Sequence, residues 1–166
     1  MNSTDLNWYA VKIITGKPEI LRYLDSHRIE HITPAVDGKL LFRSLFFLRC
    51  SYKEILRVKE DWYCQMMVYK DAERKAPQAI PDSEMENFRK YLEILGQEII
   101  PLKIDDRNFL KGQTVRVLDG PFKGATGVIK RVKGNRRLVV SIAGVAAYAT
   151  SYIPQEYLEV IENNQP

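Results

Sequence analysis

The last third of the chain consists of short β-type runs separated by turn residues, and no helical period is present there. Five such runs follow one another: Val115–Leu118, Gly127–Val132, Arg137–Ile142, Tyr148–Ile153 and Tyr157–Ile161. Asp119-Gly120-Pro121 and Lys133-Gly134-Asn135 supply tight turns between the first three. Closure of a small sheet removes its exposed edges. The pattern therefore predicts a small closed five-stranded β-barrel in this region.

The first hundred residues alternate between strand-like and helix-like periods. Strands are predicted at Trp8–Ile14, Ile29–Val36, Leu40–Cys50 and Trp62–Tyr69, and Asp37-Gly38 is a hairpin turn between the second and the third. Pro18 favours a helix start, and capping boxes at Ser51–Glu54 and Ser83–Glu86 predict two further helices. The last helix carries a stripe of Met85, Phe88, Leu92 and Leu95 and stops at Gly96.

These patterns predict an α+β chain of two modules. The first, residues 1–98, is an antiparallel sheet with helices packed mainly on one face, and the second, residues 110–162, is the barrel. Residues 99–109 contain Pro101 and the pair Asp105-Asp106 and are assigned to a linker. The tail at 163–166 is predicted to be disordered.

Basic residues are concentrated between Arg107 and Arg137, although the formal net charge of the whole chain is only +4. This window contains nine lysines and arginines, and its only acid is Asp119. Such a field favours a polyanion or an acidic partner surface. A solvated charged face explains the same charges equally well, so both interpretations stay open.

The sequence carries few of the residues that catalysis or metal binding requires. It contains two histidines, His27 and His31, no nucleophile motif and no phosphate-binding loop ending in Lys-Ser or Lys-Thr. Cys50 and Cys64 lie in apolar runs and are predicted to be buried thiols. We expect a binding protein without metal or cofactor, although carboxylates alone could still catalyse. With no secretion signal or long apolar stretch at hand, we expect a cytoplasmic protein.

The segment from Lys111 to Ile129 strongly resembles a KOW motif. In the motif, the alternating residues Val115 and Val117, and then Val128, are expected to point into the barrel. Phe122 is the aromatic residue of the motif. Gly120 and Pro121 set the turn, Gly124 is expected where a side chain would obstruct the returning strand, and Gly127 begins that strand. The resemblance implies an SH3-like KOW barrel, a module that in ribosomal proteins binds RNA.

The N-terminal module resembles the N-terminal (NGN) domain of the NusG family of transcription elongation factors. The features that carry this resemblance are Trp8-Tyr9 opening a strand, the Gly16-Lys17-Pro18 helix start, the aromatic strand from Phe42 to Leu48 and Ala79-Ile80-Pro81-Asp82 before the last helix. The resemblance implies a monomeric cytoplasmic factor that binds the clamp of RNA polymerase and suppresses pausing. It also implies contact with DNA or nascent RNA, and with a ribosomal or other protein through the KOW domain.

The resemblance implies particular contact residues. An apolar polymerase-binding patch would include Tyr9, Leu45, Phe47 and Met66, and Leu45 and Phe47 share a face by strand alternation. Burial of Leu45 and Phe47 in the core is the competing interpretation. Lys17, Arg22 and Lys59 correspond to the family's nucleic-acid contacts, although any surface lysine or arginine suits a phosphate equally well.

Two departures from the family pattern indicate a specialised paralogue. Arg43-Ser44 replaces the Pro-Gly of the aromatic strand, and the partner loop of the barrel has Ala143 and Val145 in place of an aromatic residue and an arginine. Among specialised paralogues of the family, the chain resembles the UpxY group, antiterminators of capsular polysaccharide operons. The alternative hypothesis is an RNA- or ribosome-binding KOW protein without polymerase function.

Overall fold

The computed structural model describes residues 5–95, 100–102, 112–142, 146–150 and 153–164. The chain divides into two compact units, Met1–Met85 and Glu86–Pro166. This division falls inside a helix, whereas the module boundary expected from the sequence is the linker at 99–109.

The first unit is an antiparallel sheet with helices. Its elements, together with the helix that leaves it, are β1 (Leu6–Ile13), α1 (Lys17–Ser26), β2 (Glu30–Ile32), β3 (Ala35–Val36), β4 (Lys39–Leu40), β5 (Leu45–Ser51), α2 (Tyr52–Asp61), β6 (Met66–Val68), β7 (Ala79–Ile80) and α3 (Asp82–Leu95). Strand β1 pairs with β5 along one edge and with β6 and β7 along the other, and β2 pairs with the far edge of β5. Strands β3 and β4 form a separate hairpin.

The helices α1 and α2 pack on one face of this sheet. Alternate residues of β1 and β5, such as Tyr9, Val11 and Phe46, meet Leu24 of α1 and Ile55 of α2 in one buried cluster. Burial of apolar surface at about 25 cal/mol per Å² makes such a cluster the main stabilising contribution to this unit. The α/β alternation and the antiparallel sheet expected from the sequence are confirmed.

The capping box at Ser51 is confirmed in detail. The backbone N–H of Glu54 donates to the Ser51 hydroxyl at 3.3 Å, and the backbone N–H of Ser51 donates to the Glu54 carboxylate at 2.8 Å. These bonds satisfy two donors that the first turn of α2 leaves without helical partners. The hydrogen bonds from Ser51 hold the pKa of the Glu54 carboxyl below its ordinary value.

Replacing Ser51 by alanine is therefore expected to lower the free energy of unfolding by about 1 to 2 kcal/mol at pH 7. Because the pKa of Glu54 is lower in the folded state, its contribution is present above the unfolded pKa and is lost as the pH falls through the folded pKa. Denaturant titrations should show the difference shrinking in acid. The matched control is Ser83→Ala, for which we expect less than about 0.5 kcal/mol; equal effects of the two changes would contradict the cap.

Two local predictions are wrong. Ser83 lies inside α3, which begins at Asp82, so it does not precede the helix as an N-cap. Cys64 is exposed, because it lies in the turn before β6 with a φ of +69° and not within a strand. Cys50 is buried as predicted, and burial raises the pKa of its thiol to about 12. The Cys50 thiol is consequently protonated and inert at neutral pH.

The second unit contains one antiparallel sheet. After the end of α3, its elements are β8 (Ile100–Leu102), β9 (Gly112–Val117), β10 (Thr126–Val132), β11 (Asn135–Ile142), β12 (Ala146–Ala149), a 3₁₀ turn (Gln155–Tyr157) and β13 (Leu158–Asn164). Among the described residues the strand order is β13-β9-β10-β11-β12-β8, with no pairing that joins the two ends.

The closed five-stranded barrel is therefore the wrong prediction for this unit. The additional strand, β8, comes from the segment assigned to the linker, and it pairs with β12. Because β8 occupies this edge of β12, it makes the backbone hydrogen bonds that closure would otherwise supply there. The KOW strands themselves, β9 and β10, pair antiparallel as expected.

Aromatic side chains of α3 pack within the second unit. The ring of Phe88 lies 5.6 Å from that of Tyr148, and the ring of Tyr91 lies 5.6 Å from Phe122 and 6.2 Å from Tyr148. All four side chains are buried. Tyr91 is absent from the helical stripe predicted by the sequence. These contacts are the reason that α3 from Glu86 onward groups with the sheet of the second unit.

Candidate functional site

The second face of the first sheet, opposite α1 and α2, carries the candidate binding residues of β5. Strand register places Leu45 beside Lys12 and Phe47 beside Ala10, and Lys12 is in turn beside Met67 of β6. We call this set, completed by Trp8, the second sheet face. Leu45 and Phe47 share it as predicted, but both are buried, with 6% and 0% of their surface exposed.

Tyr9 and Met66 lie on the other side of the sheet. Both belong to the buried cluster against α1 and α2, and burial raises the pKa of the Tyr9 hydroxyl. Their predicted place in one apolar patch with Leu45 and Phe47 is wrong, because successive residues of a strand point to opposite faces. Tyr9 is adjacent in sequence to Trp8, and Met66 to Met67, so each lies one residue away from the second sheet face. Their role in polymerase binding stays a prediction.

Met67 is the residue that the sequence interpretation missed. It lies on the second sheet face with 46% of its surface exposed, beside exposed Lys12. Ile14 follows β1 and is 61% exposed, and its backbone N–H donates to the Gln65 carbonyl at 2.8 Å. The second sheet face is thus buried around Phe47 and open at the end that carries Met67. The register of β1 with β6 was the missing signal.

The three predicted nucleic-acid contacts lie on the two packed helices. The ammonium of Lys17 lies 4.9 Å from the centre of the Phe46 ring, and Arg22 pairs with Glu19 at 3.3 Å. Lys59 is half-buried on α2. Because Tyr23 of α1 donates a 2.6 Å hydrogen bond to Asp61 of α2, the helices are neighbours. No contact described in the structure joins the three cations, and their role stays a prediction.

The KOW valines are buried but do not share one face. Val115 and Val117 are two residues apart on β9 and therefore share one face. Val128 is the register partner of Thr114 and so faces the opposite side. There Val128 lies beside Val139, which packs with alanines of β12. Phe122 is buried against Tyr91, while Pro121 is exposed in the loop between β9 and β10. The prediction that all three valines point to one interior is wrong, because both faces of this sheet are covered.

The KOW glycines are required for different reasons. Gly120 and Gly124 have φ values of +82° and +87°, in the left-handed region that glycine adopts without strain. A side chain at Gly124 would meet open space, so the predicted obstruction there is wrong. At Gly127, by contrast, a Cβ would clash with the backbone carbonyl of Val139. The close approach of strands therefore occurs at Gly127.

Some predicted features can be compared only with the residues that the structure describes. The partner loop with Ala143 and Val145 lies outside the described residues. Within the described ranges, no group of three or more His, Cys, Asp or Glu side chains could hold a metal ion. No helix in the described part of the chain is long and apolar enough to cross a membrane.

Comparison with known proteins agrees with this architecture. Residues 111–142 match the KOW motif family model. A structure of NusG from Thermotoga maritima, described as showing domain interaction in that protein, is 17% identical, with a TM-score of 0.53, and the match covers 95% of this chain and 98% of that one. An MjSpt4:Spt5 complex in conformation B is 15% identical, with a TM-score of 0.32, over 96% of this chain and 99% of that one. No curated protein sequence matches significantly.

The chain is thus a KOW-containing protein. More particularly, its fold is that of NusG. Both parts of the resemblance stated from the sequence, the KOW motif and the NusG-like fold, are confirmed. The specialised UpxY-type assignment stays a prediction.

Proposed function

We propose that this protein is a transcription elongation factor of the NusG type that binds RNA polymerase. The observation that carries the proposal is the combination of a KOW motif at residues 111–142 with the fold of NusG across 95% of the chain. Folds host many functions, so a shared fold supports this assignment only together with a suitable surface. We further propose that the protein acts in the cytoplasm as a monomer, without cofactor or catalytic activity.

The surface proposed for the polymerase is the open end of the second sheet face. Met67 and Ile14 expose apolar side chains there, and Lys12 provides a cation beside them. Exposed apolar residues with a charged neighbour are typical of a protein-binding surface. Leu45 lies beside Lys12 in the strand register but is only 6% exposed, so it borders this surface without adding to it. Contact through Leu45 and Phe47 would require this buried part of the face to become uncovered.

Met67→Glu is expected to weaken binding to RNA polymerase at least tenfold, because it places a charge at the centre of an apolar contact. Binding is measured by titrating labelled protein with core polymerase, and read-through is measured on a template with an intrinsic terminator. Leu40→Glu is the matched control, since Leu40 is also exposed (40%) but lies on the separate β3–β4 hairpin. Failure of the unaltered protein to bind, at concentrations that saturate a NusG control, would exclude the function.

The finer proposal is an antiterminator dedicated to one operon of the polysaccharide type. It is supported by Arg43-Ser44 and by Ala143 and Val145, which depart from the residues of housekeeping NusG proteins. Deleting the gene should then reduce distal transcripts of one long operon while leaving the rest of the transcriptome unchanged. A uniform change in elongation across many operons would instead indicate a housekeeping factor.

A further inference from the structure

The described part of the chain contains three methionines, and they differ in exposure. Met66 and Met85 are 4% and 1% exposed, whereas 46% of the surface of Met67 is exposed. An oxidant dissolved in water reaches a methionine thioether only where the side chain is accessible. Among these three, Met67 is therefore the thioether that such an oxidant attacks in the folded protein.

The neighbours of Met67 hold its backbone in place. Strand β6 consists of Met66, Met67 and Val68, and both Met66 and Val68 are buried in the cluster against α1 and α2. The strand pairs with β1, where Lys12 is the register partner of Met67. A chemical change at the Met67 side chain consequently alters the second sheet face and leaves the buried cluster intact.

Met67 supplies apolar surface at the open end of the second sheet face, together with Ile14. Conversion of the thioether to a sulfoxide makes a flexible apolar side chain polar and disrupts interfaces that depend on methionine. A sulfoxide oxygen that is buried against a partner without a hydrogen bond also loses its hydration. Oxidation of this one side chain would therefore weaken a complex formed through this surface.

We propose that Met67 is a reversible oxidation site that switches off binding at the open end of the second sheet face. Hydrogen peroxide transfers one of its oxygen atoms to the Met67 sulfur, so that an S–O bond forms and the O–O bond breaks. The proton of the transferred oxygen moves to the leaving hydroxide, which departs as water, and the electron pair lost by the sulfur reduces the peroxide. A methionine sulfoxide reductase reverses the change. The effect on binding rests on the proposed polymerase function, whereas the selectivity of oxidation does not.

The two cysteines offer competing sulfur atoms. Cys50 is buried, and burial raises the pKa of its thiol to about 12, so at neutral pH it is not the thiolate that oxidants attack. Cys64 is exposed and lies shortly before Met67 in the chain. Oxidation of Cys64 must therefore be separated from that of Met67 by substitution.

Peptide mass spectrometry of the full chain after peroxide treatment tests the selectivity. Sulfoxide is expected to form at Met67 at least about tenfold faster than at Met66 or Met85, and fragmentation of the shared peptide distinguishes Met66 from Met67. The melting temperature should not change, because the buried cluster keeps its side chains. Equal rates at the three methionines, or a lowered melting temperature, would overturn the proposal.

Titration of labelled protein with core polymerase, before and after peroxide treatment of the labelled protein alone, tests the effect on binding. Oxidation is expected to weaken binding about tenfold, and a methionine sulfoxide reductase should restore it. Met67→Leu has no sulfur at this position, so its affinity should be equal before and after treatment, whatever its starting value. Cys64→Ser is the matched control, and it should lose affinity on oxidation as the unaltered protein does.

Three results of the titration would overturn the proposal: unchanged affinity of the oxidised unaltered protein, an equal loss in Met67→Leu, or protection by Cys64→Ser. Absence of binding before any peroxide is added would instead refute the polymerase function, and the effect on binding with it. The peptide analysis then still decides whether Met67 is the oxidation site, because that measurement needs no polymerase.

Discussion

Replacing Tyr148 by alanine is expected to lower the free energy of unfolding of the second unit by about 4 kcal/mol, which is in the range for removing a large aromatic side chain from a core. Tyr148 is 1% exposed, and its ring packs against those of Phe88 and Tyr91 of α3. Loss of the ring removes contacts to both. Chemical denaturation followed by tyrosine fluorescence measures the change, because both tryptophans, Trp8 and Trp62, lie in the first unit.

The matched control for this prediction is Tyr148→Phe. It keeps the ring and removes only the hydroxyl, whose pKa is raised by burial. We expect a cost of about 1 kcal/mol, the ordinary contribution of one hydrogen-bonding group. A large loss in both variants would assign the stability to the hydroxyl and contradict aromatic packing as the cause. A small loss in both would show that α3 contributes little to this unit.

Gly127→Ala is expected to cost about 3 kcal/mol, at the upper end for overpacking a closely packed site. Its Cβ would clash with the Val139 carbonyl on the neighbouring strand, and a backbone atom cannot rotate away as a side chain can. Since β10 pairs with β11 at this point, relief of the clash requires separating two strands of the KOW sheet. The loss should appear as a lower melting temperature of the second unit.

Gly124→Ala is the matched comparison, because it adds the same methyl group where nothing lies within 4 Å. Only the φ of +87° opposes the change, and a left-handed conformation costs a non-glycine residue about 1 to 2 kcal/mol. The decisive measurement is which of the two variants, Gly127→Ala or Gly124→Ala, loses more stability. A greater loss at Gly124 than at Gly127 would contradict the strand packing described here.

Local signals in the sequence were sufficient where neighbouring residues determine the structure. The Ser51 capping box depends on residues three apart, and the Asp37-Gly38 turn depends on two residues with positive φ. The KOW segment was recognisable for the same reason, since its turn residues and alternating apolar residues are consecutive in the chain. The NusG-like fold followed from combining that segment with the α/β alternation before it.

The assignment of residues to faces required long-range information. Tyr9 and Met66 were placed with Leu45 and Phe47, but strand register puts them on opposite sides of the sheet. A shift of one residue reverses the direction of every side chain in a strand. In an apolar run such as Leu45 to Leu48, which is buried on both faces, the sequence contains no alternation that could reveal the register.

The sequence by itself determined the succession of helices and strands, the turn residues of the KOW segment and the concentration of cations after Arg107. Only the tertiary structure decided that β8 joins the second sheet and that Tyr91 packs on Tyr148. The physical reason is that pairing between distant strands and packing of a helix on a sheet depend on contacts between residues far apart in the chain. Local propensity does not encode those contacts.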